Sequence, residues 1–137
     1  MKKLIILLLS TYCSLSLFAQ NVTVVFSQNK CYFQFEEENT KLWKEQLAPI
    51  LNDLVKQEKL IDWGVLTHAW GDEWNWNVYY VAENQNKFND AFVELFERVL
   101  ENNPDVMKEF GKFCFEHKDS IYTEIMGYNE EENTEGN

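Results

Sequence analysis

Residues 61–81, IDWGVLTHAWGDEWNWNVYYV, constrain the fold of this chain more than any other stretch. They hold four of its five tryptophans, together with Tyr79 and Tyr80. Two runs rich in β-forming residues flank the polar segment 71–73, which begins with a glycine that can adopt a positive φ. The pattern therefore predicts an antiparallel hairpin.

Both faces of this hairpin would carry large apolar side chains, because successive residues of a strand point to opposite faces of the sheet. In the first arm Trp63 lies on one face and Leu66 and Trp70 lie on the other. In the second arm Trp76 and Tyr79 lie on different faces. A sheet that is apolar on both faces must cover both. We expect helices on one face and a partner sheet or a ligand on the other.

The start of the chain has the pattern of a secretory signal peptide over residues 1–19. Lys2 and Lys3 precede an apolar run that continues weakly to Phe18, and Ala19 offers a small residue for cleavage. Polar residues interrupt the run, so it falls short of the roughly 20 apolar residues that a membrane span needs. We therefore expect a secreted or periplasmic protein with no membrane contact after cleavage. A retained anchor is the alternative.

The rest of the chain has the size of one domain, which we expect over residues 20–127. Residues 128–137 should form a disordered acidic tail. Loss of the leader would make the formal net charge of −11 more negative by two, so nucleic acid is not an expected partner. The acidic runs 36–38 and 130–132 are typical of solvated surface.

The first half of the domain should hold a strand and a broken helix before the hairpin. Residues 21–28 are rich in β-branched side chains and predict a central strand. Apolar residues at spacings of three and four then indicate a helix that Asn39 or Thr40 can cap. Pro49 lies inside that pattern, where it should cause a kink or divide the helix in two.

The second half should hold two helices and a last strand. The clearest helical pattern covers about residues 86–101. A shorter helix, capped by Asn103, would follow with an apolar stripe that reaches His117. Residues 119–126 alternate as a strand, and a helical continuation is the alternative. This order is the split β-α-β plan of an α+β ferredoxin-like fold with a four-stranded antiparallel sheet.

Trp43 and Pro49 of the first helix are followed by residues 60–64, His68 and Gly71, which lead into the aromatic second arm. In these positions the chain resembles the dimeric α/β-barrel superfamily. The group includes antibiotic-biosynthesis-monooxygenase-like, NIPSNAP-like and stress-responsive barrel-domain proteins. The resemblance implies a homodimer in which two ferredoxin-like sheets meet face to face, with a pocket between sheet and helices.

The same resemblance leaves the activity open. Members of the superfamily include cofactor-free oxygenases, haem-degrading enzymes, isomerases and proteins with no known activity, so the fold does not choose among them. No serine lies in a nucleophile elbow, and no glycine-rich loop or dinucleotide fingerprint is present. We expect no cofactor.

The histidines and cysteines each allow two interpretations. His68 and His117, the two histidines of the chain, could transfer protons or could be hydrogen-bonded structural residues. Asp119 could orient the His117 imidazole. Cys31 and Cys114 could form a disulfide or remain two buried thiols, and their spacing matches no zinc or redox motif. Because a metal site needs at least three convergent ligands, we expect no metal.

The tryptophans allow three interpretations. They could pack in the core and a dimer interface, line a pocket for a small aromatic or apolar ligand, or form an exposed stacking platform for sugar. A cofactor-independent oxygenase acting on an electron-rich aromatic and a non-catalytic interaction module are the alternative functions to ligand binding. For a ligand held mainly against the hairpin, the candidate binding residues are His68, Trp70, Asn75, Trp76, Tyr79 and His117.

Overall fold

A computed structural model describes residues 22–71 and 73–125, and it confirms the predicted ferredoxin-like order of elements. One antiparallel sheet has the strand order β2-β3-β1-β4, and helices pack on one of its faces. The strands are β1 (Thr23–Cys31), β2 (Asp62–Thr67), β3 (Trp76–Ala82) and β4 (Cys114–Thr123). The helices are α1 (Glu36–Leu42), α2 (Ala48–Lys56), α3 (Gln85–Asn102) and α4 (Val106–Phe113). The predicted signal peptide and acidic tail lie outside the described residues.

β2 and β3 form the predicted antiparallel hairpin. Trp63 lies opposite Tyr80 and Thr67 lies opposite Trp76, so these side chains share the helix-covered face. The loop between the arms, residues 68–75, is longer than predicted. Gly71 in this loop has a φ of 131°, a conformation that side chains with a Cβ rarely adopt.

The core lies between the helices and the covered face of the sheet. β1 and β3 are the central strands, as predicted for β1, and alternate residues of β3 are buried. The amphipathic helices α2 and α3 supply the facing layer because their apolar residues recur at helical spacing. Its fully buried side chains include Leu51, Leu54, Leu95 and Val99.

The first helix begins earlier than predicted, and the Asn39 or Thr40 cap is wrong. A 3₁₀ turn (Phe33–Phe35) leads directly into α1, whose first turn holds the acidic run 36–38 that favours a helix N-terminus. Asn39 is thus interior to the helix and buried, and the Thr40 hydroxyl donates to the Glu36 carbonyl at 2.7 Å.

The predicted break at Pro49 is confirmed. A π-helical turn (Trp43–Leu47) joins α1 to α2, and the Ala48 amide donates to the Trp43 carbonyl, five residues back. Pro49 consequently lies in the first turn of α2, where its missing N–H needs no partner. The π turn therefore accommodates a proline that a continuous helix would not.

The boundary between α4 and β4 differs from prediction and changes the position of His117. The helical stripe from Val106 was expected to reach this residue, but α4 ends at Phe113 and the strand begins at Cys114. Pairing of β4 along β1 brings His117 opposite Asn29. The tertiary pairing overrides a local pattern that fits either element.

Cys31 and Cys114 form a disulfide that joins β1 to β4. The fully buried Asn39 lies beside it, and its Nδ2 donates to the Cys114 sulfur at 3.6 Å and to the Cys31 sulfur at 3.9 Å. The bond ties the start of β4 to the central strand. Within residues 22–71 and 73–125, no helix has the length and apolar character that crossing a membrane requires.

Candidate functional site

A cavity of about 360 Å³ lies between the sheet and the helices, and we name it the helix-side cavity. β1, β3 and β4 contribute to its sheet wall, and the π turn, α3 and α4 contribute to its helical wall. The side chains that make it apolar are Trp43, Tyr80, Phe92, Phe96, Met107 and Phe110.

These aromatic rings contact one another around the cavity. Phe92 and Phe96 are four residues apart on α3, so both face the sheet, and their ring centroids are 4.7 Å apart. Tyr80 meets Phe92 edge-on at 6.0 Å, and Trp43 meets Phe110 edge-on at 6.2 Å. Helical spacing alone cannot separate rings that line a cavity from rings that fill a core, so these positions were not predicted as site residues.

A chain of polar side chains forms one edge of the helix-side cavity. Asn29, almost fully buried on β1, donates from Nδ2 to the carbonyls of Trp76 at 3.2 Å and Ser27 at 3.3 Å. Its Oδ1 therefore faces His117 Nδ1, at 2.9 Å, and Nδ1 is the donor. His117 Nε2 lies 3.1 Å from a carboxylate oxygen of Asp119, which is the orienting pair that the sequence suggested.

Burial raises the pKa of the Tyr80 phenol, and the negative charge of Asp119 raises it further. Tyr80 is thus a neutral group in the cavity wall at physiological pH. The cavity therefore combines uncharged aromatic walls with a half-exposed imidazole at its edge. This arrangement can enclose a small aromatic molecule and orient it through one polar group.

Three of the predicted ligand-binding residues lie at the hairpin loop, away from the helix-side cavity. Trp70 is 96% exposed. Asn75 uses its amide to bond the backbone of Cys31, accepting from N at 2.7 Å and donating to O at 2.8 Å. His68 lies beside the Phe33 ring, and its Nδ1 is buried with no partner in the described part of the chain.

The other three lie on different faces of the sheet. Trp76 is 3% exposed in the helix-side core. Tyr79 lies on the opposite face, where its hydroxyl donates to Asp62 at 3.1 Å. That hydrogen bond, together with partial burial, raises the pKa of Tyr79. Among the six residues, His117 is the one that lines the helix-side cavity.

The face without helices, which we name the open face, is apolar at its centre. The Phe26 ring contacts Tyr79 at 6.4 Å and Tyr122 at 6.1 Å. Gly64 lies opposite Tyr79, and a Cβ there would come within 2.5 Å of the tyrosine ring, so this close approach requires glycine. Leu66 adds an exposed apolar side chain to the same face.

Charged groups surround Trp74 at one end of the open face. Lys30 pairs with Glu73 at 2.7 Å and Glu116 at 2.9 Å, and these hydrogen bonds raise its pKa. Lys30 and Lys118 also lie over the Trp74 ring, at 4.7 and 4.1 Å from its centroid. Within the described residues, no three His, Cys, Asp or Glu side chains converge as a metal site would require.

Similarity to known proteins is limited to the fold. No protein-family model matches the chain, and no curated protein matches its sequence. A dimeric ferredoxin-like protein from an uncultured marine organism has a TM-score of 0.64 at 10% identity, over 80% of this chain and 92% of that one. A NIPSNAP domain protein from Burkholderia xenovorans has a TM-score of 0.60 at 8% identity, over 79% and 99%. A NIPSNAP family protein from Agrobacterium tumefaciens has a TM-score of 0.58 at 13% identity, over 74% and 90%.

Proposed function

We propose that this ferredoxin-like chain binds a small aromatic ligand in the helix-side cavity. The observation that carries the proposal is the set of aromatic rings around a cavity of about 360 Å³, within the size range of small-molecule sites. An apolar ligand gains on the order of 25 cal/mol for each Å² of apolar surface that it buries there. The walls favour an aromatic ligand because rings stack edge-on or offset against rings.

His117 would orient the ligand through a hydrogen bond at Nε2. Its Nδ1 is held by the buried Asn29, whereas Nε2 faces the half-exposed Asp119, whose place a ligand oxygen can take. Because Nδ1 donates to Asn29, a neutral imidazole presents the lone pair of Nε2 at the cavity edge, and a ligand hydroxyl can donate to it.

We further propose that the protein is a homodimer through the open face. The central rings of Phe26, Tyr79 and Tyr122 would be covered by the same surface of a second copy, since a twofold interface uses one patch on both subunits. The dimeric ferredoxin-like protein from the marine organism is consistent with this arrangement.

The proposed location is outside the cytoplasm, with a mature chain that starts at Gln20 or Asn21. The Cys31–Cys114 disulfide supports it, because such bonds persist in oxidising compartments. The leader pattern over residues 1–19 is the independent argument.

Calorimetric titration with 1-naphthol tests the ligand site. Gly111 lines the cavity and a Cβ there meets no atom within 4 Å, so Gly111→Leu adds a bulky side chain at the cavity wall without a clash. We expect this variant to lower the affinity about tenfold and His117→Ala to lower it severalfold. His68→Ala and Trp70→Ala are the controls, with wild-type affinity. Loss of binding in the controls but not in the first two variants would refute the site.

A cofactor-independent oxygenase is the second candidate, favoured by an oriented His117–Asp119 pair beside an aromatic cavity. Oxygen uptake with 1,4-dihydroxynaphthalene distinguishes the two. Binding without uptake above the spontaneous rate supports the binding protein. Uptake that disappears in His117→Ala would instead assign catalysis to this residue.

A further inference from the structure

A surface pocket of about 570 Å³ lies at the end of the sheet where β1 stops, and we name it the loop pocket. Its lining comes from residues 30–34, the hairpin loop and the start of β4. The lining includes four aromatic residues, Tyr32, Phe33, His68 and Phe115. Among the described residues that line the two spaces, only Phe115 is shared with the helix-side cavity. The loop pocket is therefore a separate space.

The rings of the loop pocket are accessible to solvent. Phe33 is 67% exposed, Phe115 is 59% exposed and Tyr32 is 48% exposed. The ring centroids of Tyr32 and Phe115 are 4.9 Å apart, and those of Phe33 and His68 are 6.0 Å apart. Exposed apolar side chains that gather in one concave place with polar residues at the rim are typical of a ligand site. The rings thus offer two contacting pairs to a ligand.

The charge around the loop pocket is negative. The ammonium group of Lys30 already pairs with Glu73 at 2.7 Å and with Glu116 at 2.9 Å, so these three side chains carry one positive and two negative charges. A neighbouring surface pocket shares Phe33 and Gln34 with the loop pocket, and its lining includes four glutamates and two lysines. The chain as a whole has a formal net charge of −11. A surface potential of this sign raises the local concentration of cations.

Aromatic rings favour a ligand of the same sign. The face of a ring is the negative end of its quadrupole, so it attracts a cation. The chain already makes this contact at the same end of the sheet, where the ammonium groups of Lys118 and Lys30 lie 4.1 and 4.7 Å from the centroid of the Trp74 ring. A quaternary ammonium group suits such rings well, because its methyl groups cover the charge and it has no hydrogen to donate to water.

We infer that the loop pocket binds a small organic cation through a quaternary ammonium group. The methyl groups would contact the four rings, and the carboxylate of Glu73, whose side chain is 70% exposed, would supply the opposite charge. This inference does not depend on the ligand of the helix-side cavity.

The test compares choline with 3,3-dimethyl-1-butanol, which has the same shape but a carbon atom in place of the charged nitrogen. NMR titration follows the ring signals of the two histidines, and His117→Ala assigns them. We expect choline to bind about tenfold more tightly than the alcohol and to move the His68 signals while the His117 signals stay. Equal affinities for the two probes, or no saturable shift of His68 with choline, would overturn the inference.

Two pairs of variants separate the ring contribution from the charge contribution. Phe33→Leu should weaken choline about fourfold, whereas Trp70→Ala removes an exposed ring outside the pocket lining and should change nothing. Glu73→Gln should weaken choline about threefold, because it also leaves Lys30 less neutralised. Glu97→Gln on α3 is the matched charge control and should bind as wild type. All four side chains are exposed, so the variants should fold. Equal effects within each pair would contradict the site.

Two further titrations exclude other sources of binding. Gly111→Leu changes the wall of the helix-side cavity and not the lining of the loop pocket, so it should leave the affinity for choline intact. Loss of choline binding in that variant would place the cation in the helix-side cavity and refute the second site. Phosphocholine carries the headgroup of a lipid, and the nearby glutamates should repel its phosphate. Tighter binding of phosphocholine than of choline would overturn the assignment to a free cation.

Discussion

Individual residues in this chain take their roles from tertiary contacts that the sequence does not display. Asn39 has the residue type of a helix cap, yet it is buried beside the disulfide because a 3₁₀ turn moves the helix start to Glu36. His117 lines the helix-side cavity, and its pairing with Asp119 was anticipated. Its buried partner Asn29 was not, because the two are 88 residues apart and only the β1–β4 register joins them.

Tyr80 gives a pH-dependent prediction at this scale. Burial keeps its phenol neutral in the folded chain, whereas a tyrosine in the unfolded chain ionises near pH 10. Above that pH the unfolded state binds fewer protons, so the free energy of unfolding should fall by on the order of 1 kcal/mol per pH unit. Below pH 10 the Tyr80 phenol is neutral in both states, so its burial contributes fully to the free energy of unfolding.

The measurement is urea unfolding of wild type and Tyr80→Phe between pH 8 and 11. Above pH 10 the free energy of unfolding of the variant should fall less steeply than that of wild type, because phenylalanine does not ionise. Tyr79→Phe is the matched control, with a smaller effect since its hydroxyl lies on the accessible open face. Identical alkaline slopes for wild type and Tyr80→Phe would contradict the burial argument.

At the scale of elements, the sequence predicted best the helices and strands that have a single strong periodicity. α3 lies within one residue of its predicted bounds at each end, because apolar spacing and the Asn103-Pro104 stop agree. Alternation predicted which side chains of each hairpin arm share a face, but the pairing register of the two arms was not predicted. The boundary between α4 and β4 was wrong, since residues 113–117 fit a helical stripe and a strand equally, and pairing with β1 decided between them.

The end of α2 supplies a prediction about stability. Glu58 has a φ of 58°, and the amides of Glu58 and Lys59 donate to the carbonyls of Val55 and Leu54, the pattern of a Schellman motif. A glycine adopts this left-handed conformation without the Cβ crowding that costs roughly 1 kcal/mol. Glu58→Gly should therefore raise the free energy of unfolding by about 0.5 to 1 kcal/mol.

Thermal and urea unfolding check this, with Glu58→Ala as the control that removes the same carboxylate but keeps a Cβ. A gain in Glu58→Gly and none in Glu58→Ala is the expected result. Equal effects would assign the change to charge rather than to backbone conformation.

At the scale of the whole molecule, the two faces of the sheet differ in what covers them. The sequence predicted that both faces are apolar, and the structure covers one with helices and leaves Phe26, Tyr79 and Tyr122 on the other. The helix-side cavity was harder to predict, because a cavity is a gap between elements and no periodicity encodes it. Tryptophan density pointed to the hairpin, whereas the helix-side cavity depends on rings from α3 and α4 as well.

The open face gives the prediction for assembly. Phe26→Glu places a charge at its centre, where burial against a second copy would leave the carboxylate without a partner. We expect the dimer dissociation constant to rise by on the order of 100-fold, measured by light scattering across protein concentrations. Val93→Glu, on the exposed side of α3, is the control and should remain dimeric. A wild-type protein that is monomeric at micromolar concentration would contradict the assembly.

We propose that the ligand site lies between the sheet and the helices, and NMR mapping of 1-naphthol tests this location most directly. Isotope-labelled protein reports the Trp43 and Trp70 indole signals and the ring signals of His68 and His117 in one titration. We expect the Trp43 and His117 signals to shift with a common dissociation constant while the Trp70 and His68 signals stay in place. Saturable shifts at Trp70 and His68, with Trp43 and His117 unmoved, would contradict it and place the site at the hairpin loop.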